Sequence, residues 1–173
     1  IDTGEGWVVY YGHTMKDAHK IGDGKITVRQ AFEKSSNVGI SKLIYENYKE
    51  KPAKYVDHLY DIGLNEPLGI SIPGEGKPII KHPDENTNWY GTTLPWMSIG
   101  YEVLLTPLQT LNIYNAVANN GRMMKPQFVR EVRQAGQTIE IKEPEVLNKS
   151  ICSQKTIDTL RSLLEGVVER GTA

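Results

Sequence analysis

Residues 33–42 read EKSSNVGISK and place three small polar residues, Ser35, Ser36 and Asn37, between two helical patterns. The helix before them can be capped by Thr27 and is predicted to end near Ser35. The helix after them is predicted from apolar residues at helical spacing, namely Ile40, Leu43, Ile44 and Tyr48. Serine and asparagine satisfy the free backbone groups of helix ends, so capping alone explains the three residues. The alternative is that Ser35 and Asn37 belong to an active site.

The regions on either side of these helices are predicted to hold a short strand, loops and a third helix. Residues 1–26 are rich in glycine around the run WVVYY at residues 7–11, a pattern that favours one short strand and loops. Pro52 suits the first turn of a third helix, and Gly63 is placed to close it.

Residues 64–100 keep neither a helical nor a strand period and contain many prolines and glycines. We therefore expect a long irregular segment, and loops of that length usually carry function or wrap a surface. Trp89 and Trp96 lie in it. They either anchor the segment by burial or form an exposed stacking platform, and anchoring is the favoured interpretation.

The C-terminal half predicts two helices and a hairpin. Thr106 and Pro107 are typical of a helix start, and the buried stripe of that helix is predicted to hold Leu108, Leu111, Tyr114, Val117 and Ala118. Residues 128–132 and 138–141 predict a hairpin, and Ser153 is placed to cap a final amphipathic helix. The predicted fold class is α+β, mostly α-helical, with a small β-hairpin.

Composition narrows the class of protein. The chain has 173 residues, of which 39% are hydrophobic and 24% charged, and its formal net charge is −1. These values are typical of one soluble globular domain without a basic stripe for nucleic acid. The first residues lack the basic start and apolar core of a signal peptide, and we expect an excised or processed terminus because no initiator Met is present. With only Cys152 the chain has no internal disulfide, which leaves the compartment open.

The sequence contains no pattern typical of a metal-binding or phosphate-binding site. The four histidines lack the spacing of a ligand pair, and the single cysteine excludes a thiolate cluster. Asp84-Glu85 lacks the oxygen spacing of a calcium loop. The run from Gly22 to Lys25 lacks the remaining glycines and the Lys-Ser/Thr ending of a phosphate loop. We therefore expect no metal and no cofactor.

Separate segments, in order along the chain, resemble class B penicillin-binding proteins. Residues 26–39 (ITVRQAFEKSSNVG) resemble that family's second motif region, and residues 69–76 (GISIPGEG) resemble its Pro-Gly-Glu segment. Residues 97–109 (MSIGYEVLLTPLQ) resemble its Ser-Ile-Gly-Tyr and Thr-Pro-Leu-Gln stretch. Several motifs in order are far more specific than one tripeptide. The Ser-Ser-Asn form resembles the division (septal, FtsI-like) branch.

The resemblance implies the helical lobe of a transpeptidase (β-lactamase-like) domain. It implies a serine-type D,D-transpeptidase that cross-links peptidoglycan stem peptides through an acyl-enzyme and is acylated by β-lactams, which mimic D-Ala–D-Ala. The family's second-motif serine corresponds to Ser35, whose hydroxyl would relay a proton between a lysine and the leaving amine. The family's asparagine corresponds to Asn37, whose amide would hold that lysine and the substrate. Ser36 receives no role.

The other two family motifs are missing from the sequence. No serine is followed three positions later by lysine, and no Lys-Ser/Thr-Gly occurs; the closing residues 170–173 do not supply one. We therefore expect that residues 1–173 are the part of a transpeptidase domain between its first and third motifs, without a nucleophile and inactive alone. Exposed apolar surface is expected where the missing sheet would pack, and self-association is one way to cover it.

Two other interpretations stay open. One is a catalytically dead relative that acts as a penicillin sensor or scaffold, and the other is an unrelated helical interaction module in which Ser35 and Asn37 only cap helices. For the transpeptidase, the resemblance implies the stem peptide, β-lactams and division proteins as partners and no nucleic acid. It places the domain on the extracytoplasmic (periplasmic) face of the inner membrane, anchored through a segment outside this chain.

Overall fold

The structure is a computed structural model that describes residues 1–85 and 88–171. The helices are α1 (Val28–Glu33), α2 (Asn37–Tyr48), α3 (Pro52–Asp61), α4 (Thr93–Met97), α5 (Pro107–Ala118) and α6 (Gln154–Arg170). The strands are β1 (Trp7–Tyr10), β2 (His13–Lys16), β3 (Ile79–Ile80), β4 (Val103–Leu104), β5 (Met123–Met124), β6 (Glu131–Gln134), β7 (Gln137–Ile141) and β8 (Val146–Asn148). Two residues of the predicted irregular segment and the last two of the closing Arg-Gly-Thr-Ala lie outside the described residues.

These elements form two compact units. The first holds residues 1–58, 80–104 and the chain from 158 onward, and the second holds residues 59–79 and 105–157. Within the described residues the strands pair two by two, as β1 with β2, β3 with β4, β5 with β8 and β6 with β7. The α+β class with short strands and a hairpin is therefore confirmed. No helix in the described part of the chain is long and apolar enough to cross a membrane.

The N-terminal region is a hairpin where the sequence predicted one strand with loops. Strands β1 and β2 pair antiparallel, with Tyr10 opposite His13, and the two turn residues Tyr11 and Gly12 have φ of 51° and 83°. Positive φ at both central residues is the geometry of a type I′ hairpin turn. The sequence missed β2 because Met15 is its only buried residue, so no alternating pattern shows.

The helix boundaries follow the predicted caps. At α1 the Thr27 hydroxyl accepts from the Gln30 N–H, and the Gln30 Oε1 accepts from the Thr27 N–H. Helix α3 begins at Pro52 and is closed by Gly63, whose φ of +87° suits the left-handed turn at a helix end. Both predictions are confirmed.

The predicted start of α5 is confirmed, but its predicted buried stripe is correct only at Val117 among the fully buried residues. Thr106 and Gln109 form a second capping box, and Pro107 is the first helical residue. Leu111 and Tyr114 are each 54% exposed. The buried residues of α5 are Gln109, Asn112, Ala116 and Val117. Burying Gln109 costs little because its amide is used twice, in the capping box and as a donor to the Glu66 carbonyl at 3.1 Å.

The second hairpin and the last helix are confirmed with shifted details. Strands β6 and β7 are joined by Ala135 and Gly136, with φ of 50° and 80°, so the turn is two residues long and shorter than predicted. Helix α6 follows Ser153, whose hydroxyl accepts from the Thr156 N–H at 3.3 Å. On its predicted apolar face Ile157 is fully buried, whereas Val168 is 76% exposed.

The described part of the irregular segment contains a short helix, α4, that the sequence did not predict. Five residues interrupted by Pro95 carry too short a pattern for a helical period. Trp96 in α4 packs edge-on against Tyr10 at 6.1 Å and lies near His13 at 6.4 Å between ring centroids. These contacts agree with the anchoring interpretation for Trp96.

Candidate active site

The junction between α1 and α2 is a helix C-cap fused to a helix N-cap. The Ser35 N–H donates to the Phe32 carbonyl at 3.1 Å, and the Ser36 N–H donates to the Ala31 carbonyl at 2.8 Å. These two bonds are the Schellman arrangement that ends a helix in a left-handed residue. That left-handed residue is Ser35, with φ of +54°.

Ser35 occupies a position that glycine normally fills. An L-residue in the left-handed region costs roughly 1–2 kcal/mol relative to the right-handed one. The side chain is exposed, and its hydroxyl makes no hydrogen bond to any residue that the structure describes. Strain of this kind collects at functional sites, where the surrounding structure holds it in place. Ser35 is thus a strained residue that presents an unused hydroxyl.

Ser36, which was assigned no role in the motif, is the residue that caps α2. Its hydroxyl accepts from the Gly39 N–H at 2.8 Å and donates to Asp17 Oδ2 at 2.9 Å, and the residue is 1% exposed. The other carboxylate oxygen of Asp17 accepts from the Val38 N–H at 2.9 Å. Side-chain capping of α2 therefore belongs to Ser36 and Asp17. Ser35 satisfies the end of α1 only through its backbone N–H, and the expectation that the side chains of Ser35 and Asn37 cap helices is corrected.

Asn37 is the first residue of α2, and its amide reaches back to the hairpin. Its Nδ2 donates to the Lys16 carbonyl at 3.0 Å, which fixes one side of the amide. Its Oδ1 makes no hydrogen bond in the residues described here, so an acceptor is left for another molecule or segment. Within residues 1–85 and 88–171, one polar side-chain atom of Ser35 and one of Asn37 thus have no hydrogen-bond partner.

The two residues line the same cleft. It has a volume of about 630 Å³ and is bounded by Asp17, residues 18–22, Lys34, Ser35 and Asn37. All of these belong to the first compact unit. The structure therefore brings the two predicted site residues together at an open cleft.

A buried ion cluster supports the α1 side of the junction. Glu33 is buried and accepts from Arg170 through both carboxylate oxygens, at 2.9 and 3.3 Å, and from Arg29 at 3.1 Å. The hydrogen bond from Arg170, with a smaller contribution from Arg29, lowers the pKa of Glu33 despite the opposing effect of burial. Lys34 donates to the Arg170 carbonyl, so the end of α6 is tied to the residue next to Ser35.

The hairpin is held against α2 by tyrosine hydroxyls. Tyr10 donates to the Ser41 hydroxyl at 3.1 Å, and Tyr11 and Tyr45 share a hydrogen bond at 3.0 Å. That bond with Tyr11 raises the pKa of Tyr45 to about 12, and burial raises the pKa of Tyr10. Because Lys16 is the last residue of β2 and Asp17 follows it directly, this packing fixes the positions from which both residues reach the junction.

The Pro-Gly-Glu segment and the Thr-Pro-Leu-Gln helix lie in the second unit. Glu75 accepts from the backbone N–H groups of Leu68 and Ile70 at 2.6 and 3.1 Å and so closes the loop between them. Glu75 therefore stabilises this loop through its carboxylate.

The site thus consists of a helix junction in an α+β fold that presents a strained Ser-x-Asn turn to an open cleft. The chain belongs to the penicillin-binding protein transpeptidase domain family, whose model matches residues 2–173.

Individual relatives agree with this assignment. The chain is 32% identical to penicillin-binding protein PbpB of Mycobacterium tuberculosis over 160 residues, which cover 92% of this chain and 22% of that protein. It is 24% identical to peptidoglycan D,D-transpeptidase FtsI of Escherichia coli over 160 residues, covering 92% and 24%. The crystal structure of penicillin-binding protein 3 from M. tuberculosis complexed with ampicillin is 31% identical, with a TM-score of 0.79 over 96% of this chain and 35% of that one. The chain thus spans about a quarter of the length of the relatives it matches in sequence.

Asp17 is the site residue that the sequence did not reveal. It lies 19 positions before Ser36 and follows a strand that was itself missed. A single carboxylate at that distance forms no local pattern. The cap at Ser36 did have a signal, because a serine directly before a helix is a common N-cap.

Proposed function

We propose that this chain is part of a division-branch peptidoglycan D,D-transpeptidase that cross-links stem peptides through a serine acyl-enzyme and is acylated by β-lactams. The observation that carries the proposal is the junction itself. There Ser35 is strained, and its hydroxyl, which has no hydrogen-bond partner among the described residues, lies beside Asn37 in one cleft. Two relatives support it. FtsI is named a peptidoglycan D,D-transpeptidase, and penicillin-binding protein 3 forms a complex with ampicillin.

The proposed chemistry needs a nucleophilic serine and a lysine from a Ser-x-x-Lys motif that these residues do not contain. That serine attacks the D-Ala–D-Ala carbonyl, the peptide C–N bond breaks, and the terminal D-Ala leaves after its amine gains a proton. Ser35 supplies the path for that proton, because its hydroxyl can accept from the lysine while it donates to the leaving nitrogen. An amine of a second stem peptide then attacks the acyl-enzyme and forms the cross-link.

Asn37 is proposed to hold the reacting groups in place. Its Nδ2 is tied to the Lys16 carbonyl, so the amide plane is fixed before substrate binds. The Oδ1 can accept from the lysine ammonium or from the substrate N–H. Preorganised polar groups of this kind contribute to the rate because no reorganisation is needed during the reaction.

The location and partners of the whole protein are part of the same proposal. A stem-peptide substrate places the domain on the extracytoplasmic side of the inner membrane, anchored through another segment, with division proteins as partners. The 173 residues alone are proposed to be inactive, because they lack the nucleophile.

Labelling with a fluorescent penicillin tests the proposal. The full-length protein and the 173-residue chain are incubated with the reagent and separated by denaturing electrophoresis. We expect a covalent band for the full-length protein only. An unlabelled full-length protein would favour the sensor or scaffold interpretation, and a labelled 173-residue band would show that the nucleophile lies within this chain.

A further inference from the structure

We propose that Asp17 is a positioning residue that fixes the Ser35–Asn37 turn in its reactive geometry. The inference rests on the proposed function and adds a residue from outside the tripeptide. Asp17 lies at the end of β2 and contacts neither the Ser35 hydroxyl nor the unused oxygen of Asn37. Its effect therefore passes through Ser36 and the backbone of α2.

The carboxylate of Asp17 binds two groups that flank the turn. Oδ2 accepts from the Ser36 hydroxyl and Oδ1 accepts from the Val38 N–H, both at 2.9 Å. The backbone of Asp17 is itself fixed, because its N–H donates to the Gly6 carbonyl at 2.8 Å. A carboxylate that accepts from two donors on either side of one residue restrains the position of that residue, which here is Asn37.

The Ser36 hydroxyl passes this restraint into the helix. A hydroxyl has one proton, and the proton of Ser36 is committed to Asp17, so a lone pair is directed at the Gly39 N–H, 2.8 Å away. Hydrogen bonds to an ionised carboxylate are about twice as strong as neutral ones. A negative charge at the first turn of α2 is also favoured by the helix dipole.

Lys16 completes the restraint with its backbone. Its carbonyl accepts from Asn37 Nδ2 at 3.0 Å, so two consecutive residues, Lys16 and Asp17, hold Ser36, Asn37 and Val38. We call this pair of residues the hairpin clamp. The clamp opposes relaxation of Ser35 out of the left-handed region, because such a change would displace Ser36 from Asp17.

The test measures β-lactam acylation of the full-length protein. Asp17→Ala should slow the first-order acylation step about 30- to 100-fold, the effect expected when a catalytic group moves by about 1 Å. The dissociation constant of the complex before acylation should change much less than the acylation rate, because the Lys16 carbonyl still holds the Asn37 amide. Asp17→Asn should fall between Asp17→Ala and the wild type, because its amide oxygen still accepts from the Val38 N–H.

Asp23→Ala is the matched control. Asp23 is also a carboxylate in the first unit that accepts from a backbone N–H, that of Lys25 at 3.1 Å, but it does not contact the turn. Amide hydrogen exchange supplies a second readout. Exchange at Gly39 should accelerate in both Asp17 variants, and exchange at Val38 should accelerate in Asp17→Ala. Both should stay at the wild-type rate in Asp23→Ala.

Several results would overturn the proposal. They are wild-type acylation in Asp17→Ala, a loss of acylation that matches the loss of folded protein, or unchanged exchange at Val38 and Gly39. If Asp17→Ala does not fold, the acylation rate and the amide hydrogen exchange of Asp17→Asn test the proposal instead. A wild-type protein that is not acylated would instead contradict the proposed function, and the exchange measurement would still test the clamp.

Discussion

The α1–α2 junction and helix α5 both involve a helix that begins with a capping box, but they differ in whether their buried polar side chains are hydrogen-bonded. Helices α1 and α5 both begin with a Thr-x-x-Gln capping box, in Thr27 and Gln30 and in Thr106 and Gln109. At the junction the buried Ser36 hydroxyl is fully hydrogen-bonded. Helix α5 instead buries the Asn112 amide nitrogen without a partner in the described residues.

The difference shows what a helix pattern can and cannot specify. A cap fixes where a helix begins, because its hydrogen bonds are local. Which face is buried depends on the segments that pack against the helix, and these are distant in sequence. Leu111 and Tyr114 are exposed on α5 for this reason. Exposed apolar surface was expected from the sequence, but its covering by a missing sheet stays a prediction.

The largest expected effect is at Gly39, inside the tightly packed junction. A Cβ at this position would lie 2.8 Å from the Ala31 Cβ and 3.0 Å from the Ser36 Oγ. Gly39→Ala should therefore lower the free energy of unfolding by about 2–3 kcal/mol through overpacking. Glycine-to-alanine changes inside helices normally stabilise, so the sign is diagnostic. A more stable Gly39→Ala, measured by urea unfolding against Glu46→Ala on the same helix, would show that the junction is loosely packed.

The next effect is the loss of the shared cap at Ser36. Ser36→Ala removes the acceptor for Gly39 and the donor for Asp17, and it should cost about 1–2 kcal/mol. Ser98→Ala is a suitable control, since that hydroxyl donates only to the Pro95 carbonyl. Equal losses in the two variants would mean that Ser36 is an ordinary hydroxyl.

Removing a buried polar group from α5 should stabilise the chain, in contrast to the loss of the Ser36 hydroxyl. Asn112→Leu keeps the side-chain shape and removes a buried nitrogen without a partner, so the free energy of unfolding should rise by about 1 kcal/mol. The exposed neighbour Asn115→Leu should stay within about 0.5 kcal/mol of the wild type. If Asn112→Leu destabilises the chain, the contrast between the two regions fails.

The smallest effect on the free energy of unfolding at neutral pH concerns the ion cluster of Glu33, Arg29 and Arg170 beside the junction. The hydrogen bond from Arg170 lowers the pKa of Glu33 below its ordinary value, so the carboxylate of the unfolded chain binds its proton at a higher pH than that of the folded chain. The stabilisation is fully present above the pKa of Glu33 in the unfolded chain. It is lost as the pH falls through the lower pKa of Glu33 in the folded chain. Glu33→Gln should remove this part of the pH dependence, and Arg170→Met should reduce it. Parallel loss of stability in wild type and Glu33→Gln would contradict the assignment.

The sequence predicted those parts of the fold that depend on local signals. Thr27, Pro52, Gly63 and Thr106 marked helix boundaries that the structure confirms. Strand β2 was missed because a mostly exposed strand of four residues has no period.

The candidate site was predicted from resemblance and only in part. Ser35 and Asn37 correspond to a motif, and the structure places them at one cleft. Asp17 could not be predicted, because its contacts with Ser36 and Val38 depend on tertiary packing of the hairpin. The left-handed conformation of Ser35 also depends on the two helices that meet there.

The central claim is that Ser35 carries strain in order to present its hydroxyl, and Ser35→Gly tests it most directly. Glycine suits the left-handed position, so the variant should be more stable to unfolding by about 1 kcal/mol. The same substitution in the full-length protein should slow β-lactam acylation about 10²- to 10⁴-fold, because the proton relay is lost. A variant that is more stable and acylates at the wild-type rate would contradict the claim, since the strain would then serve no chemistry.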